Sequence, residues 1–180
     1  PQAPELQHIL AEIDDKDIKN VVMEVSSHSL VQHRVDYCDF KGAVFTNLTQ
    51  DHLDFHITMN NYFKAKALLF EKLVAGDFAV INADDTYAGK FLEVISPTVS
   101  VYTYGVNMPA DVRAKDVTFN HKGASFTCIV KDKEYKVNLK MNGMFSVYNV
   151  LAALTTALAL NMDIEKAINT MENLGGVAGR

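Results

Sequence analysis

The side chains best suited to chemistry crowd into one part of this chain, residues 23–70. Four of the six histidines lie there. Carboxylates and imidazoles are common ligands of divalent metals, and an arginine can hold a carboxylate or a phosphate through two parallel hydrogen bonds. We therefore take the following residues as the candidate site: Glu24, His28, His33, Arg34, Asp51, His52, Asp54, His56 and Lys66.

Two short apolar segments should place these side chains. Residues 20–25 (NVVMEV) and 42–46 (GAVFT) are rich in valine, and such runs are typical of buried parallel strands. Ligands of open α/β sheets bind beyond the carboxyl ends of the strands. Because Glu24 lies near the end of the first segment and residues 47–56 follow the second, we expect their polar groups to meet at one edge of the sheet.

The helix predicted after this loop carries Lys66. Thr58 is a suitable N-cap, since its hydroxyl can accept an early backbone N–H. Apolar residues then recur at helical spacing, and Lys66 falls near the middle of the apolar stripe. Two interpretations follow: the lysine extends its ammonium to the sheet edge, or burial lowers its pKa and supplies a reactive neutral amine. The stripe consists of Met59, Tyr62, Phe63, Leu69, Phe70 and Leu73.

The histidine spacing leaves other functions open. His52 and His56 are four residues apart and, with Asp54, resemble the ligands of a metal-dependent hydrolase, although no HExxH motif is present. Ser26 or Ser27 beside His28 suggests a serine hydrolase, but the chain has no G-x-S-x-G motif. A third alternative is a non-enzymatic interaction domain.

The rest of the chain predicts an α/β fold. Strands and helices alternate up to about residue 95, which is typical of a mostly parallel sheet flanked by helices. From about 99 to 140 the pattern changes to successive strands separated by turn residues, which predicts a small antiparallel β portion. Further strands are predicted at 78–82, 99–104, 112–119, 124–130 and 134–139, and helices at 4–14, 86–95, 146–160 and 164–173.

The composition limits the classes of partner and compartment. The chain has 180 residues, a net charge of −5 and no run of basic residues, so a nucleic-acid partner has little support. No apolar run is long enough to span a membrane. Cys38 and Cys128 are far apart and lack metal-type spacing, which fits a reduced protein of the cytoplasm. We therefore expect a cytoplasmic monomer.

Several sequence blocks resemble the central domain of Mur ligases. They are EVSSHSLVQHRV (24–35), FTNLTQDHLDFH (45–56), YFKAKALLF (62–70), VINADD (80–85) and the terminal GGVAGR. The likeness extends over nearly the whole chain, and its first block favours the branch that adds the third amino acid to UDP-MurNAc-L-Ala-D-Glu. The resemblance implies an ATP-dependent, amide-forming ligase of peptidoglycan precursor synthesis that works through an acyl phosphate.

The resemblance also implies roles for individual residues. Glu24 and His52 match residues that hold Mg²⁺, and Lys66 matches a carbamylated lysine that binds a second Mg²⁺. Lys66 and His52 are thus the residues implied in catalysis. A carbamate would replace a costly buried cation by an anionic oxygen ligand for the metal. The residues that match ligands of the UDP-MurNAc-dipeptide are Ser26, Gln32 and Arg34, and those that match residues near ATP are Asn47, Asn149 and Arg180.

Two positions depart from the family pattern, both on the ATP side. Ser146 stands where members usually have Asn, and Ala178 stands where they have Pro. Residues 1–180 also contain no Walker A phosphate-binding loop, no N-terminal UDP-binding domain and no C-terminal domain that selects the amino acid. We interpret the chain as a fragment of the central ATP-binding domain and expect it to be inactive alone. The sequence leaves open whether the third amino acid is diaminopimelate or lysine.

Overall fold

The computed structural model describes residues 1–51 and 53–175 and builds them around one mixed sheet. The order of the strands in the sheet follows the chain. The strands are β1 (Gly42–Phe45), β2 (Phe78–Asn82), β3 (Ser100–Gly105), β4 (Val112–Asn120), β5 (Gly123–Val130) and β6 (Lys133–Asn138). The helices are α1 (Ala3–Asp15), α2 (Ser27–Val31), α3 (Leu53–His56), α4 (Met59–Glu71), α5 (Ala88–Val94), α6 (Met144–Ala159) and α7 (Ile164–Asn173).

The sheet is parallel on one side and antiparallel on the other. Strands β1, β2, β3 and β4 pair in parallel, whereas β4, β5 and β6 form antiparallel pairs. This confirms the predicted α/β class with a small antiparallel portion. Helices cover both faces of the parallel part, which explains why every residue of β2 is buried.

The antiparallel part begins later than the sequence predicted, because β3 is parallel to both of its neighbours. The end of β3 overlaps the start of β4 over only two residue pairs, so the short loop 106–111 suffices to connect them. Asp111 holds this loop, since its carboxylate accepts hydrogen bonds from the backbone N–H and the hydroxyl of Thr103 at 2.7 and 2.8 Å. Strand β4 therefore continues past the carboxyl end of β3, and the hairpins project beyond the parallel part.

The predicted strand at 20–25 is wrong. The structure assigns neither strand nor helix to residues 18–26, and Val22 is 98% exposed. A strand needs a neighbour for its backbone hydrogen bonds, and within the described residues β1 is paired with β2 alone. Apolar composition expresses a tendency to be buried, but it does not supply the strand with which a segment would pair.

Two hydrophobic cores lie on the two faces of the sheet. Successive residues of β2 point to opposite faces, so Val80 packs with α6 and α7 whereas Ile81 packs with α4 and α5. A smaller cluster joins α1 to α2 through contacts that include Leu6 and Leu30. Within the described residues, no helix is both long and apolar enough to cross a membrane.

Candidate functional site

Helix α2 carries or borders the residues predicted to bind the dipeptide substrate. Ser26 caps its start, because the Ser26 hydroxyl accepts a hydrogen bond from the backbone N–H of Ser29 at 3.1 Å. At the other end His33 adopts a left-handed conformation, with φ of 58°. The N–H of Arg34 then donates to the carbonyl of Ser29 at 2.9 Å and closes the helix in a Schellman motif. This turn brings the side chains of Gln32 and Arg34 together.

The Arg34 side chain is half-buried and only partly satisfied. Its Nη2 donates a hydrogen bond to Oε1 of Gln32. Its Nε is buried and has no hydrogen-bond partner within the described part of the chain. Because a buried donor left unpaired costs about 1–3 kcal/mol, such a donor fits a site where a ligand completes the bonding. Ser26 and Gln32 are exposed at the two ends of α2, so all three predicted dipeptide residues border one short helix.

Lys66 lies half-buried on α4, and two acidic side chains from other parts of the chain lie near it. Burial is the largest influence on the pKa of Lys66 and lowers it, while the carboxylates of Glu24 and Asp51 act in the opposite direction. The Lys66 Nζ lies 5.3 Å from the centroid of the Tyr62 ring, within range of a cation–π interaction. The structure thus brings together Lys66 and Glu24, two of the three predicted metal ligands. The third, His52, lies outside the described residues.

His56 is buried and has a partner that sequence reasoning missed. Its Nε2 lies 2.8 Å from the hydroxyl oxygen of Ser27, and the two residues are 5% and 2% exposed. The His56 ring also stacks on Tyr62, with ring centroids 4.9 Å apart. Ser27 and His56 form the pair of side chains that a serine hydrolase needs, but the burial of Ser27 keeps a substrate from its hydroxyl. The pair therefore holds the structure together.

The metal-dependent hydrolase alternative gains no support at His56. The bond with Ser27 engages Nε2, one of the two ring nitrogens that could bind a metal, and Asp54 is exposed on α3. Within residues 1–51 and 53–175, no three His, Cys, Asp or Glu side chains are grouped closely enough to hold a metal ion. His52 belongs to both predicted metal sets and lies outside this range.

Two of the three residues predicted to lie near ATP, Asn47 and Asn149, flank the carboxyl ends of β1 and β2. Asn47 is exposed in the loop after β1, and the side-chain amide of Asn82 donates to the backbone carbonyl just before it at 2.8 Å. Asn149 is exposed on α6, next to Tyr148, whose hydroxyl hydrogen-bonds to the segment after β2. The third predicted residue, Arg180, lies outside the described residues.

Asp84, just after β2, anchors this edge of the sheet, and sequence reasoning gave it no role. Its carboxylate accepts hydrogen bonds from the backbone N–H groups of Val106, Asn107 and Met108 at 2.6 to 3.1 Å. The Tyr148 hydroxyl donates a further bond at 2.7 Å. Burial raises the pKa of Asp84, but these hydrogen bonds outweigh burial and lower it below its usual value. Burial and the same contact raise the pKa of Tyr148 to about 12.

Proteins of similar sequence include ligases that are named for UDP-N-acetylmuramoyl-L-alanyl-D-glutamate and 2,6-diaminopimelate. The chain is 44% identical over 180 residues to UDP-N-acetylmuramoyl-L-alanyl-D-glutamate–2,6-diaminopimelate ligase 2 of Clostridium acetobutylicum, in a match that covers the whole chain and 36% of that protein. It is 40% identical over 187 residues to the diaminopimelate ligase of Bacillus velezensis, and this match covers the whole chain and 38% of that protein. The chain thus spans little more than a third of the length of these relatives.

Solved structures and a family-wide sequence comparison agree with this likeness. A solved structure of UDP-N-acetylmuramoyl-L-alanyl-D-glutamate–2,6-diaminopimelate ligase superposes on this chain with a TM-score of 0.91 and 31% identity. The superposition covers the whole of this chain and 37% of that one. MurF from Acinetobacter baumannii shares the fold, with a TM-score of 0.75 and 21% identity over 82% of this chain and 32% of its own. A sequence model described as the Mur ligase middle domain matches residues 1–157. The chain belongs to the Mur ligase family and carries its middle domain.

Proposed function

We propose that the chain forms the central, ATP-using part of a ligase that joins 2,6-diaminopimelate to UDP-MurNAc-L-Ala-D-Glu. The diaminopimelate ligases that it resembles support this amino acid over lysine. The observation that carries the proposal is a half-buried lysine, Lys66, within electrostatic range of the carboxylates of Glu24 and Asp51. Because the chain spans little more than a third of its relatives, the activity is proposed for a full-length ligase that contains it.

In this proposal α2 binds and orients the dipeptide. Arg34 and Gln32 offer donors to the anionic substrate, and the unpaired Nε of Arg34 supports that role. A substrate carboxylate oxygen then attacks the γ-phosphorus of ATP, and ADP leaves. The amine of the third amino acid attacks the carbonyl carbon of the acyl phosphate, and phosphate leaves. Protein groups contribute mainly by positioning the reactants and by neutralising charge.

The side chains near Lys66 fit Mg²⁺ in their chemistry. Glu24 and Asp51 supply carboxylate oxygens, which are the hard ligands that Mg²⁺ prefers, and both lie close enough to Lys66 to raise its pKa. Glu24 and His52 would hold one Mg²⁺, and a carbamate on Lys66 would hold a second. When bound, Mg²⁺ neutralises negative charge on the phosphates of ATP.

Lys66 enters the site as a carbamate in this proposal. Its neutral amine attacks the carbon of CO₂, and a proton passes to solvent, so that an anionic group with two oxygens replaces the ammonium. Burial favours the neutral amine, whereas Glu24, Asp51 and the Tyr62 ring all favour the ammonium. Neutralisation of the two carboxylates by a bound cation would shift the balance towards the amine. We therefore expect carbamylation to depend on metal.

Lys66→Ala in the full-length ligase tests the proposal. We expect kcat for amide formation to fall by about a thousandfold, with little change in thermal stability, because alanine suits both the helix and the half-buried position. Lys64→Ala, at an exposed lysine of the same helix, is the matched control. Carbon-13 NMR with labelled bicarbonate should show a carbamate signal in the wild type with Mg²⁺ and none in Lys66→Ala.

Two outcomes separate the function from the role of Lys66. If the wild-type ligase does not join diaminopimelate to the UDP-MurNAc-dipeptide, the proposed function is wrong. If the wild type is active but Lys66→Ala keeps near-normal kcat, or no carbamate is present in the active enzyme, Lys66 only extends its ammonium to the sheet edge.

A further inference from the structure

We propose that His56 is a positioning residue that couples α2, the helix of the dipeptide-binding residues, to α4, the helix of Lys66. The inference rests on the proposed function and extends it. No motif assigns His56 this role, because its contacts depend on residues that are distant in sequence. One buried hydrogen bond, one ring stack and one strained turn make the connection.

The hydrogen bond joins α2 to the end of α3, three residues before α4 begins. Ser27 is the first residue of α2, and its hydroxyl lies 2.8 Å from His56 Nε2. Both side chains are almost fully buried, so loss of either partner would leave the other without this bond. Ser27 directly follows Ser26, the predicted substrate ligand that caps α2. The bond therefore acts at the end of the helix where Ser26 lies.

The ring stack continues the connection to Lys66. The His56 and Tyr62 rings are nearly parallel, with an angle of 16° between their planes and centroids 4.9 Å apart. Tyr62 lies one helical turn before Lys66, whose Nζ is 5.3 Å from the Tyr62 ring centroid. Contacts thus run without a break from Ser27 through His56 and Tyr62 to Lys66.

The backbone beside His56 is strained, which indicates that its position is enforced by its surroundings. Ile57 has φ of 67°, a conformation that β-branched residues rarely adopt. Such a residue costs about 1–3 kcal/mol and persists only where neighbouring contacts determine it. The His56 carbonyl supplies two of these contacts, accepting from the N–H of Thr58 at 2.7 Å and from the side-chain amide of Asn61 at 3.0 Å.

Helix α2 needs such a connection because it has only five residues. Isolated helices of this length are not stable in water, so the orientation of α2 depends on its tertiary contacts. Apolar packing through Leu30 holds one face of the helix. The Ser27–His56 bond is directional, so it can fix the rotation of the helix as well as its depth.

Ser27→Ala and His56→Phe in the full-length ligase test the coupling. Alanine removes the hydroxyl and keeps the helix, and phenylalanine keeps a ring to stack on Tyr62 but cannot form the hydrogen bond. Each change should raise KM for the UDP-MurNAc-dipeptide by about tenfold and leave KM for ATP within about twofold. The double variant should be no worse than either single one, because both remove the same bond. His56→Gln can replace the Nε2 bond and should restore KM towards the wild-type value.

A stability control and a second measurement keep the test decisive. Thr155→Ala removes a buried hydroxyl that donates to the Leu151 carbonyl within α6, so it should lower thermal stability without changing KM for the dipeptide. Hydrogen exchange of the full-length protein should be faster at residues 27–34 in His56→Phe, and faster at 56–66 in Ser27→Ala. Additive effects on KM, equal effects on both substrates, or exchange that changes only at the mutated element would overturn the coupling. These exchange results remain interpretable even if the wild type proves not to be a diaminopimelate ligase.

Discussion

Asp84 and Arg34 are both half-buried charged side chains, but their hydrogen bonding is completed in opposite ways. The Asp84 carboxylate accepts bonds from three backbone N–H groups and from the Tyr148 hydroxyl, all supplied by the chain itself. The Arg34 guanidinium has Gln32 as a partner for Nη2, while its buried Nε has none within the described residues.

The difference separates a charged group whose hydrogen bonds the chain completes from one whose hydrogen bonds the described residues leave incomplete. Nearly all buried polar groups in native proteins are hydrogen-bonded. A polar group whose hydrogen bonds all come from the chain itself therefore has a structural role that accounts for its burial. An incomplete group needs another explanation, and at Arg34 the explanation that we propose is a substrate anion. The comparison predicts that changes at Asp84 act on stability, whereas changes at Arg34 act on substrate binding.

The largest effect on stability should come from Asp84→Asn. The amide keeps one acceptor oxygen but turns two N–H donors towards a cluster of donors. We expect the free energy of unfolding to fall by about 2–4 kcal/mol, measured by urea denaturation of the full-length ligase. Asp39→Asn, at an exposed aspartate, is the matched control and should change it by less than about 0.5 kcal/mol.

The pH dependence of this difference gives an independent check. The folded-state pKa of Asp84 is lowered, so its stabilising contribution is fully present above the unfolded-state pKa of about 3.9. The contribution is lost as the pH falls through the lower, folded-state pKa. The gap in stability between wild type and Asp84→Asn should therefore be constant from about pH 5 upwards and shrink below about pH 4. A gap that is unchanged in acid would show that ionised Asp84 is not its source.

Arg34→Lys should produce the reverse pattern. Lysine keeps the positive charge but cannot present a planar fork of donors, so it loses the paired geometry that Arg34 offers. We expect KM for the UDP-MurNAc-dipeptide to rise by about 10- to 100-fold, with stability and KM for ATP nearly unchanged. Arg113→Lys, at an exposed arginine of β4, controls for the exchange itself. Equal increases in both KM values would mean that Arg34 supports the fold, as Asp84 does.

The two regions also differ in how far the sequence revealed them. The apolar runs and the turn residues predicted the fold class, because hydrophobic periodicity records which faces are buried. The blocks around Arg34 and Lys66 predicted the candidate site through a family resemblance. The Asp84 cluster and the Ser27–His56 bond could not be predicted in this way. Each depends on packing between residues far apart in the chain, and none of their neighbours in sequence signals it.

The failed strand at 20–25 has the same physical origin. The valines of this segment favour pairing as a β-strand, yet within the described residues no strand lies beside it. Local composition indicates which secondary structures a segment can form, but a strand forms only where a neighbouring strand is available for pairing. Glu24 nonetheless lies within electrostatic range of Lys66 although the predicted element is wrong, and the site at which they would meet stays a prediction.

The smallest effect should come from His33→Gly, which asks whether Arg34 is positioned by the turn or by the histidine side chain. His33 has φ of 58°, which glycine adopts without strain, but glycine loses the hydrogen bond between His33 Nδ1 and Asp36 at 2.7 Å and has more freedom in the unfolded chain. These effects oppose each other, so the free energy of unfolding should change by less than about 0.5 kcal/mol.

If the Schellman turn alone places Arg34, KM for the dipeptide should also stay within about twofold of the wild-type value. Asp17→Gly is the matched control, because α1 ends in the same motif with Asp17 at φ of 57° and lies on a helix with no predicted ligand. A clear rise in KM in His33→Gly, without one in Asp17→Gly, would assign part of the binding site to the His33 side chain. That result would make Arg34 more like Asp84, because the position of Arg34 would then depend on a side-chain contact within the chain as well as on the proposed ligand.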